Sequence, residues 1–190
     1  MSATPTGFFN PHRAVLLPQP FKYDSLIIWA KRIRSGDRAA LSRAITLVES
    51  RLESDQVLAD KLLNRCKPNS AKTVRLGITG PPGAGKSSFI EFFGNEWIKL
   101  TGSRIAVLTV DPSSPDTGGS ILGDKTRMQS LAQQDGVFIR PSPSNQHPGG
   151  VHAQTRKSIQ LCEYAGFENI WIETVGVGQS ELTVRDITDL

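Results

Sequence analysis

The chain has few of the residues that build disulfide frameworks or metal clusters. Its 190 residues include only two cysteines and three histidines. Cys66 and Cys162 lie far apart, in different expected helices, which argues against a cysteine framework and suits a reducing compartment. No apolar run approaches the length that a membrane span requires, so no membrane partner is expected. The chain also lacks internal repeats and low-complexity tracts.

Blocks of like charge are also missing. The 22 basic and 18 acidic residues are scattered, which indicates a solvated surface and not a nucleic-acid-binding face. Residues 1–23 contain no Asp or Glu, a faint transit-peptide composition. Four prolines argue against a targeting helix there: Pro5, Pro11, Pro18 and Pro20. A flexible leader over residues 1–23 is the competing interpretation.

Residues 24–70 carry a helical pattern. Asp24 or Ser25 is expected to cap a first helix, Asp37 is expected to cap a second, and a third covers residues 55–66. The apolar stripes are Leu26, Trp29, Ala30 and Ile33 in the first helix, and Leu41, Ala44, Ile45, Val48 and Leu52 in the second. We interpret both stripes as core.

From residue 71 to residue 190 the pattern alternates between strands and helices, after a linker at 67–70. The expected strands are 73–79, 104–110, 136–140 and 168–173, and the expected helices are 86–100, 124–134 and 153–165. This alternation predicts an α/β fold, a mostly parallel sheet with helices on both faces, preceded by a small N-terminal helical appendage. Such sheets bind ligands beyond the carboxyl ends of their strands.

One loop after such a strand is the phosphate-binding P-loop. Gly-Pro-Pro-Gly-Ala-Gly-Lys-Ser at 80–87 fits G-x-x-x-x-G-K-[ST], and it lies between an apolar strand and a helix. That context disfavours the alternative, a turn that ends in Gly-Lys-Ser by chance. These features predict a P-loop NTPase whose nucleotide-binding residues are Gly80, Pro81, Pro82, Gly83, Ala84, Gly85, Lys86, Ser87 and Ser88.

The P-loop composition follows from phosphate chemistry. Glycines let backbone N–H groups turn inward around an anion, and the helix N-terminus adds the positive end of its dipole. Lys86 is expected to place a point charge on the β- and γ-phosphates, and the Ser87 hydroxyl is expected to ligate Mg²⁺.

Two aspartates follow the second strand. Asp111 ends that strand, and a carboxylate delivered beside a P-loop suits Mg²⁺, usually through metal-bound water. The Ser/Thr/Gly-rich loop 112–120 is flexible enough to close over a γ-phosphate. Asp124 is a second metal-side carboxylate, a water-orienting base or a helix N-cap; these alternatives stay open. Lys86, Asp111, Asp124 and Glu173 are the expected catalytic residues.

The last strand ends in a switch-like segment. Glu173 and Gly176 fit the Asp-x-x-Gly switch of GTPases, with Glu in place of Asp. Glu173 is expected in the Mg²⁺ shell, and the Gly176 N–H is expected to sense the γ-phosphate. Val177 stands where Ras-like enzymes place a water-orienting Gln, and Gln179 lies two residues further on. We therefore expect slow intrinsic hydrolysis unless a partner completes the site.

Two further features are interpreted as structural. Arg140, after the third strand, is expected to pair with a nearby carboxylate and not with a phosphate or a partner. His147 and His152 flank glycines and have no companion ligands, so no metal site is expected there.

Four segments together resemble the MMAA/MeaB/ArgK family. They are Gly-Pro-Pro-Gly-Ala-Gly-Lys-Ser, Asp-Pro-Ser-Ser with Gly-Gly-Ser-Ile-Leu-Gly-Asp-Lys-Thr-Arg-Met, Ile-Arg-Pro-Ser-Pro, and Glu-Thr-Val-Gly-Val-Gly-Gln-Ser-Glu. The resemblance covers roughly residues 25–185. It implies a homodimeric GTPase that acts as a chaperone of adenosylcobalamin-dependent methylmalonyl-CoA mutase, with GTP as substrate and Mg²⁺ as cofactor. It places the protein in the mitochondrial matrix, with the cytoplasm as the alternative.

The resemblance also implies a continuation. Family members extend past the position of Leu190 with a guanine-reading motif and a dimerisation arm, so guanine preference rests on the resemblance alone. Without that part, strand 73–79 is expected to form an exposed apolar edge.

Three other functions compete with this one. A metallochaperone GTPase predicts a Cys/His cluster, a kinase predicts an acceptor pocket and use of ATP, and a docking fragment predicts mutase binding that ignores nucleotide.

Overall fold

The computed structural model describes residues 23–68, 73–111, 128–143, 148–174 and 184–190. Three helices come first: α1 (Tyr23–Arg34), α2 (Arg38–Glu49) and α3 (Glu53–Leu63). The predicted cap of α2 is confirmed, since the Asp37 side chain accepts a hydrogen bond from the Ala40 amide at 2.9 Å. The cap expected at Asp24 or Ser25 is wrong, because α1 already begins at Tyr23 and both residues lie in its first turn.

The rest of the chain forms a parallel sheet with its connecting helices. The elements in chain order are β1 (Val74–Ile78), α4 (Lys86–Thr101), β2 (Ile105–Asp111), α5 (Gln129–Ala132), β3 (Val137–Pro143), α6 (Pro148–Tyr164) and β4 (Asn169–Thr174). The strand order is β1-β4-β2-β3, with every pair parallel. The predicted α/β class and parallel sheet are confirmed.

Three predicted helices differ by two or more residues at one end or both from the observed ones. The helix expected over 153–165 begins five residues earlier, as α6 (Pro148–Tyr164). The third N-terminal helix runs over Glu53–Leu63 and not over 55–66. The helix expected over 124–134 is present only as α5, and residues 124–127 of that prediction lie outside the described part of the chain.

Helices cover both faces of the sheet, as predicted, because side chains alternate along each strand. In β4, Ile170 and Ile172 belong to one core and Trp171 to the other. The first core takes in α1–α3 and α6, and the second takes in α4 and α5. Each core therefore positions one layer of helices against the strands that lead to the site.

The N-terminal helices belong to the larger core. Their stripes are buried as predicted, apart from Leu52, which is 41% exposed and precedes α3 instead of ending α2. Arg140 of β3 contacts Glu49 of α2 at 2.5 Å, which confirms the expected carboxylate partner. Helices α1–α3 and one face of the sheet thus share a single packed interior.

Strand β1 is an edge of the sheet, as predicted, but its backbone is not left open. The Gly77 amide donates to the Leu190 carbonyl at 2.8 Å, and the Asp189 amide donates to the Arg75 carbonyl at 2.8 Å. The Asp189 side chain also accepts from the Arg75 amide at 2.9 Å. The expectation of a fully exposed edge is therefore wrong over these residues, although Val74 is 44% exposed.

Among the described helices, none combines the length and the apolar character needed to cross a bilayer.

Candidate functional site

The site lies where the carboxyl ends of β1, β4 and β2 meet. Parallel pairing brings these ends to one edge of the sheet, and the P-loop follows β1 there. A hydrogen bond from Thr174 to Thr79, 3.0 Å between the hydroxyl oxygens, ties the end of β4 to the residue that follows β1. The motifs assign no role to these threonines: Thr79 is the last residue of an expected strand, and Thr174 is a variable position of the switch-like segment.

The P-loop backbone takes conformations that glycine favours. Gly80, Gly83 and Gly85 have φ angles of +143°, +80° and +87°. A side chain at Gly83 or Gly85 would meet nothing within 4 Å, so the requirement lies in the backbone and not in crowding. Left-handed turns of this kind allow successive amides to face an anion.

Helix α4 begins at the end of this loop, and its first turn is free of a side-chain cap. Its N-cap residue is Gly85, which cannot cap with a side chain. The first amides of a helix have no partner within the helix, and they carry the positive end of the dipole. The P-loop and the start of α4 therefore form an anion-binding site.

Lys86 supplies a cation at the same place. Its ammonium donates to the Gly80 carbonyl at 2.7 Å and to the Pro81 carbonyl at 3.0 Å. Both acceptors belong to the P-loop itself, so the Lys86 ammonium already lies beside the loop that would bind a phosphate.

Ser87 and Glu173 form the buried polar centre of the site. The Ser87 hydroxyl donates to Glu173 Oε1 at 2.9 Å, and the two residues are 9% and 5% exposed. Ser87 comes from α4 and Glu173 from β4, 86 positions later in the chain. A hydroxyl and a carboxylate are hard oxygen ligands, and Mg²⁺ commonly takes one or two such groups together with phosphate oxygens. The donor set therefore fits Mg²⁺.

Of the remaining predicted catalytic and metal-binding residues, the structure describes only the backbone position of Asp111. Asp111 is the last residue of β2, and the preceding Val110 pairs with Thr174 of β4, so its backbone lies beside the end of β4. Asp124 and Gly176 lie outside the described residues, as do Val177 and Gln179.

The Cys/His cluster that a metallochaperone would need is not found in the described segments, where no group of three His, Cys, Asp or Glu side chains is arranged to hold a metal ion. Cys66 and Cys162 are buried. Burial raises the pKa of the Cys66 thiol to about 12 and also raises the pKa of Cys162. Thiols with such high pKa values are poor metal ligands, because the thiolate is the form that binds metal.

Comparison with known proteins gives consistent matches. The family model described as "Methylmalonyl Co-A mutase-associated GTPase MeaB" matches residues 41–190. The chain is 53% identical over 159 residues to the Escherichia coli protein "GTPase ArgK", covering 84% of this chain and 48% of that protein. It is 50% identical over 165 residues to the mouse protein "Methylmalonic aciduria type A homolog, mitochondrial", covering 82% and 40%.

A solved structure agrees with these matches. A protein described as "LAO/AO transport system kinase" superposes with a TM-score of 0.71 at 40% identity, over 90% of this chain and 50% of that one. The chain thus spans about half the length of the curated relatives it matches.

Proposed function

The chain belongs to the family of methylmalonyl Co-A mutase-associated GTPases MeaB, and we propose that it binds GTP with Mg²⁺ and hydrolyses it to GDP and phosphate. The observation that carries this proposal is the buried hydrogen bond between Ser87 and Glu173, set directly behind the P-loop. It joins the helix that starts at the phosphate site to the strand that ends in the switch-like segment.

Each group has a role that follows from its chemistry. Lys86 exchanges its two carbonyl acceptors for phosphate oxygens, which are stronger acceptors because they are charged. The amides at the start of α4 bind the same phosphates. Bound Mg²⁺ would neutralise charge that develops on the phosphates. Ser87 and Glu173 would hold it, with Asp111 contributing from the end of β2.

Two residues outside the described part complete the proposed site. Asp124 is proposed to orient the attacking water or to join the metal side, and the Gly176 amide is proposed to contact the γ-phosphate. Because Val177 follows Gly176 where Ras-like enzymes carry Gln, hydrolysis is expected to be slow without a partner.

The partner we propose is methylmalonyl-CoA mutase, on the support of the family description. In this proposal the protein assists adenosylcobalamin loading, protects the mutase and, in its full length, forms a homodimer. For the compartment, the mouse relative carries "mitochondrial" in its name, which supports the matrix. The bacterial relatives support the cytoplasm as the alternative.

Lys86→Ala tests nucleotide binding, with Lys99→Ala as the matched control. Lys99 lies on the same helix, is 66% exposed and pairs only at the surface with Glu96. Loss of the charged Lys86 contact is expected to weaken GTP binding about 10- to 100-fold, while Lys99→Ala binds like the wild type. Equal affinities for the two variants, measured with a fluorescent GTP analogue, would contradict the proposal.

Ser87→Ala tests the metal. In the wild type, adding Mg²⁺ is expected to tighten GTP binding, and in Ser87→Ala this gain shrinks because a ligand is lost. Ser103→Ala, beyond the far end of α4, serves as the control and is expected to keep the full gain. If Mg²⁺ increases the GTP affinity of Ser87→Ala as much as that of the wild type, the proposal that Ser87 ligates the metal is contradicted.

Mutase binding separates the chaperone from a docking fragment. Capture of the mutase that depends on GTP and is lost in Lys86→Ala supports the chaperone. Capture that ignores both nucleotide and substitution supports docking without turnover.

A further inference from the structure

Helix α4 holds a second carboxylate contact one turn after Ser87. Residues four apart lie on the same face of a helix, so Glu91 follows Ser87 along that face. Ser87 contacts β4, whereas Glu91 contacts α5. One face of the P-loop helix is thus hydrogen-bonded to two different elements of the domain.

The Glu91 carboxylate binds the start of α5 with both oxygens. Oε1 accepts from the Ser130 amide at 2.9 Å and from the Ser130 hydroxyl at 2.5 Å. Oε2 accepts from the Leu131 amide at 3.3 Å. These bonds span 39 and 40 positions of the chain, so they are tertiary contacts and not local caps.

Helix α5 depends on this carboxylate. It is four residues long, and its N-cap residue Met128 makes no side-chain cap hydrogen bond. A helix of one turn is not stable by itself, and its first amides need acceptors. Glu91 supplies those acceptors from a neighbouring element.

The two helices are also packed too closely for an independent shift. A Cβ atom at Gly94 would lie 2.8 Å from Leu131 Cδ2, and Leu131 is fully buried. Asn95 adds two polar contacts: it donates to the Ser130 hydroxyl at 2.8 Å and accepts from Gln134 at 3.2 Å. A displacement of α4 is therefore transmitted to α5.

We propose that Glu91 is a positioning residue that couples nucleotide in the P-loop to α5. The proposal rests on the proposed function. In this proposal Glu91 acts through its helix: Lys86 and Ser87 begin α4, and Glu91, one turn later, binds Ser130 and Leu131 of α5. In the sequence, residues 112–127, which include Asp124, lie between β2 and Met128, the N-cap residue of α5.

The test compares three variants of the full chain. Glu91→Ala removes all three acceptor contacts. Glu91→Gln keeps one oxygen but turns an NH₂ group toward the Ser130 or Leu131 amide, so it should be intermediate. Glu96→Gln is the matched control, because Glu96 lies on the same helix, is 44% exposed and pairs with Lys99 instead of α5.

The readout is the dissociation constant for fluorescent GTP and GDP analogues with Mg²⁺, together with the melting temperature. Glu91→Ala is expected to weaken GTP binding by at least about fivefold and to leave GDP binding unchanged, since GDP lacks the γ-phosphate that Lys86 is proposed to bind from the start of the same helix. Glu91→Gln should lie between Glu91→Ala and the wild type, and Glu96→Gln should match the wild type.

The outcomes separate this inference from the proposed function. Equal loss of GTP and GDP affinity, or a lower melting temperature with unchanged affinities, would overturn the inference and leave Glu91 as a structural cap. If Glu91→Ala fails to fold, the GTP-to-GDP ratio of Glu91→Gln decides in the same way. A wild-type chain that binds neither nucleotide would instead overturn the proposed function.

Discussion

At the scale of single residues, Asp37 shows how one side chain starts a helix. Its carboxylate accepts from the Ala40 amide at 2.9 Å and pairs with Arg32 at 2.6 Å. Asp37→Ala removes both contacts and is expected to lower the free energy of unfolding by about 1 kcal/mol. Asp37→Asn, which still caps, is expected to lose less. Urea denaturation of the three proteins measures this, and equal midpoints would contradict it.

The same residue gives a pH dependence with a definite sign. The Ala40 amide, followed by the Arg32 side chain, lowers the pKa of Asp37 from its ordinary value of 3.8. The folded state therefore favours the charged form. Its contribution is complete above the unfolded pKa and is lost as the pH falls through the lowered folded value.

The difference in unfolding free energy between the wild type and Asp37→Asn should thus be constant from about pH 7 down to about pH 5. It should shrink below about pH 4. Denaturation midpoints recorded from pH 7 down to pH 3 check this. A difference that grows as the pH falls would contradict the sign.

Glu91 shows where sequence patterns stop being informative at this scale. Lys86, Ser87 and Glu173 were predictable because a motif or the end of a strand marks each of them. Glu91 has no such mark, since its partners Ser130 and Leu131 lie about forty positions away and are brought near by packing alone. A carboxylate on an amphipathic helix predicts a solvated face unless the tertiary structure is known.

At the scale of elements, the strands and most helices followed from local patterns. Alternation of apolar segments and helices was sufficient to predict the four parallel strands, because each strand is a short apolar segment bounded by turn residues. The pairing of the last residues with β1 was not predictable, because residues 188–190 carry no strand pattern. Their hydrogen bonds depend on how residues 184–188 pack against Gly77, since Val184 and Thr188 both lie close to it.

Gly77→Ala tests that packing. A Cβ atom there would lie 2.7 Å from Val184 Cγ1, and a β-branched valine has little freedom to rotate away. The substitution is expected to cost about 1–3 kcal/mol of unfolding free energy. It should also speed exchange of the Asp189 amide, which donates to Arg75.

Gly136→Ala is the matched control for Gly77→Ala. Its added Cβ would meet atoms of Arg104 no closer than 3.8 Å, which is ordinary contact. If both variants unfold at the same denaturant concentration as the wild type, the close packing at Gly77 is unimportant for stability.

At the scale of the whole molecule, the N-terminal helices and the sheet are bound by one interior. Arg140 of β3 donates to Glu49 and Thr46 of α2, and Arg140 and Glu49 side chains are 19% and 8% exposed. Because apolar residues of α1–α3 and of the sheet also share the larger core, these helices and the sheet are expected to unfold in one cooperative step.

Arg140→Ala should shift that single step without splitting it. Removing one partner of a mostly buried pair is expected to cost about 1–3 kcal/mol, below the value for a fully buried pair because of its partial exposure. Helix content and tryptophan fluorescence should lose their signals at the same denaturant concentration in both proteins. Two separated transitions in the wild type would contradict the shared interior.

The central claim concerns what the P-loop, Ser87 and Glu173 do together, and one titration tests it most directly. The purified chain is titrated with fluorescent GTP and ATP analogues, with and without Mg²⁺. The predicted result is Mg²⁺-dependent binding that prefers GTP by at least about tenfold. Binding that prefers ATP, binding indifferent to Mg²⁺, or no binding of either nucleotide would contradict the claim.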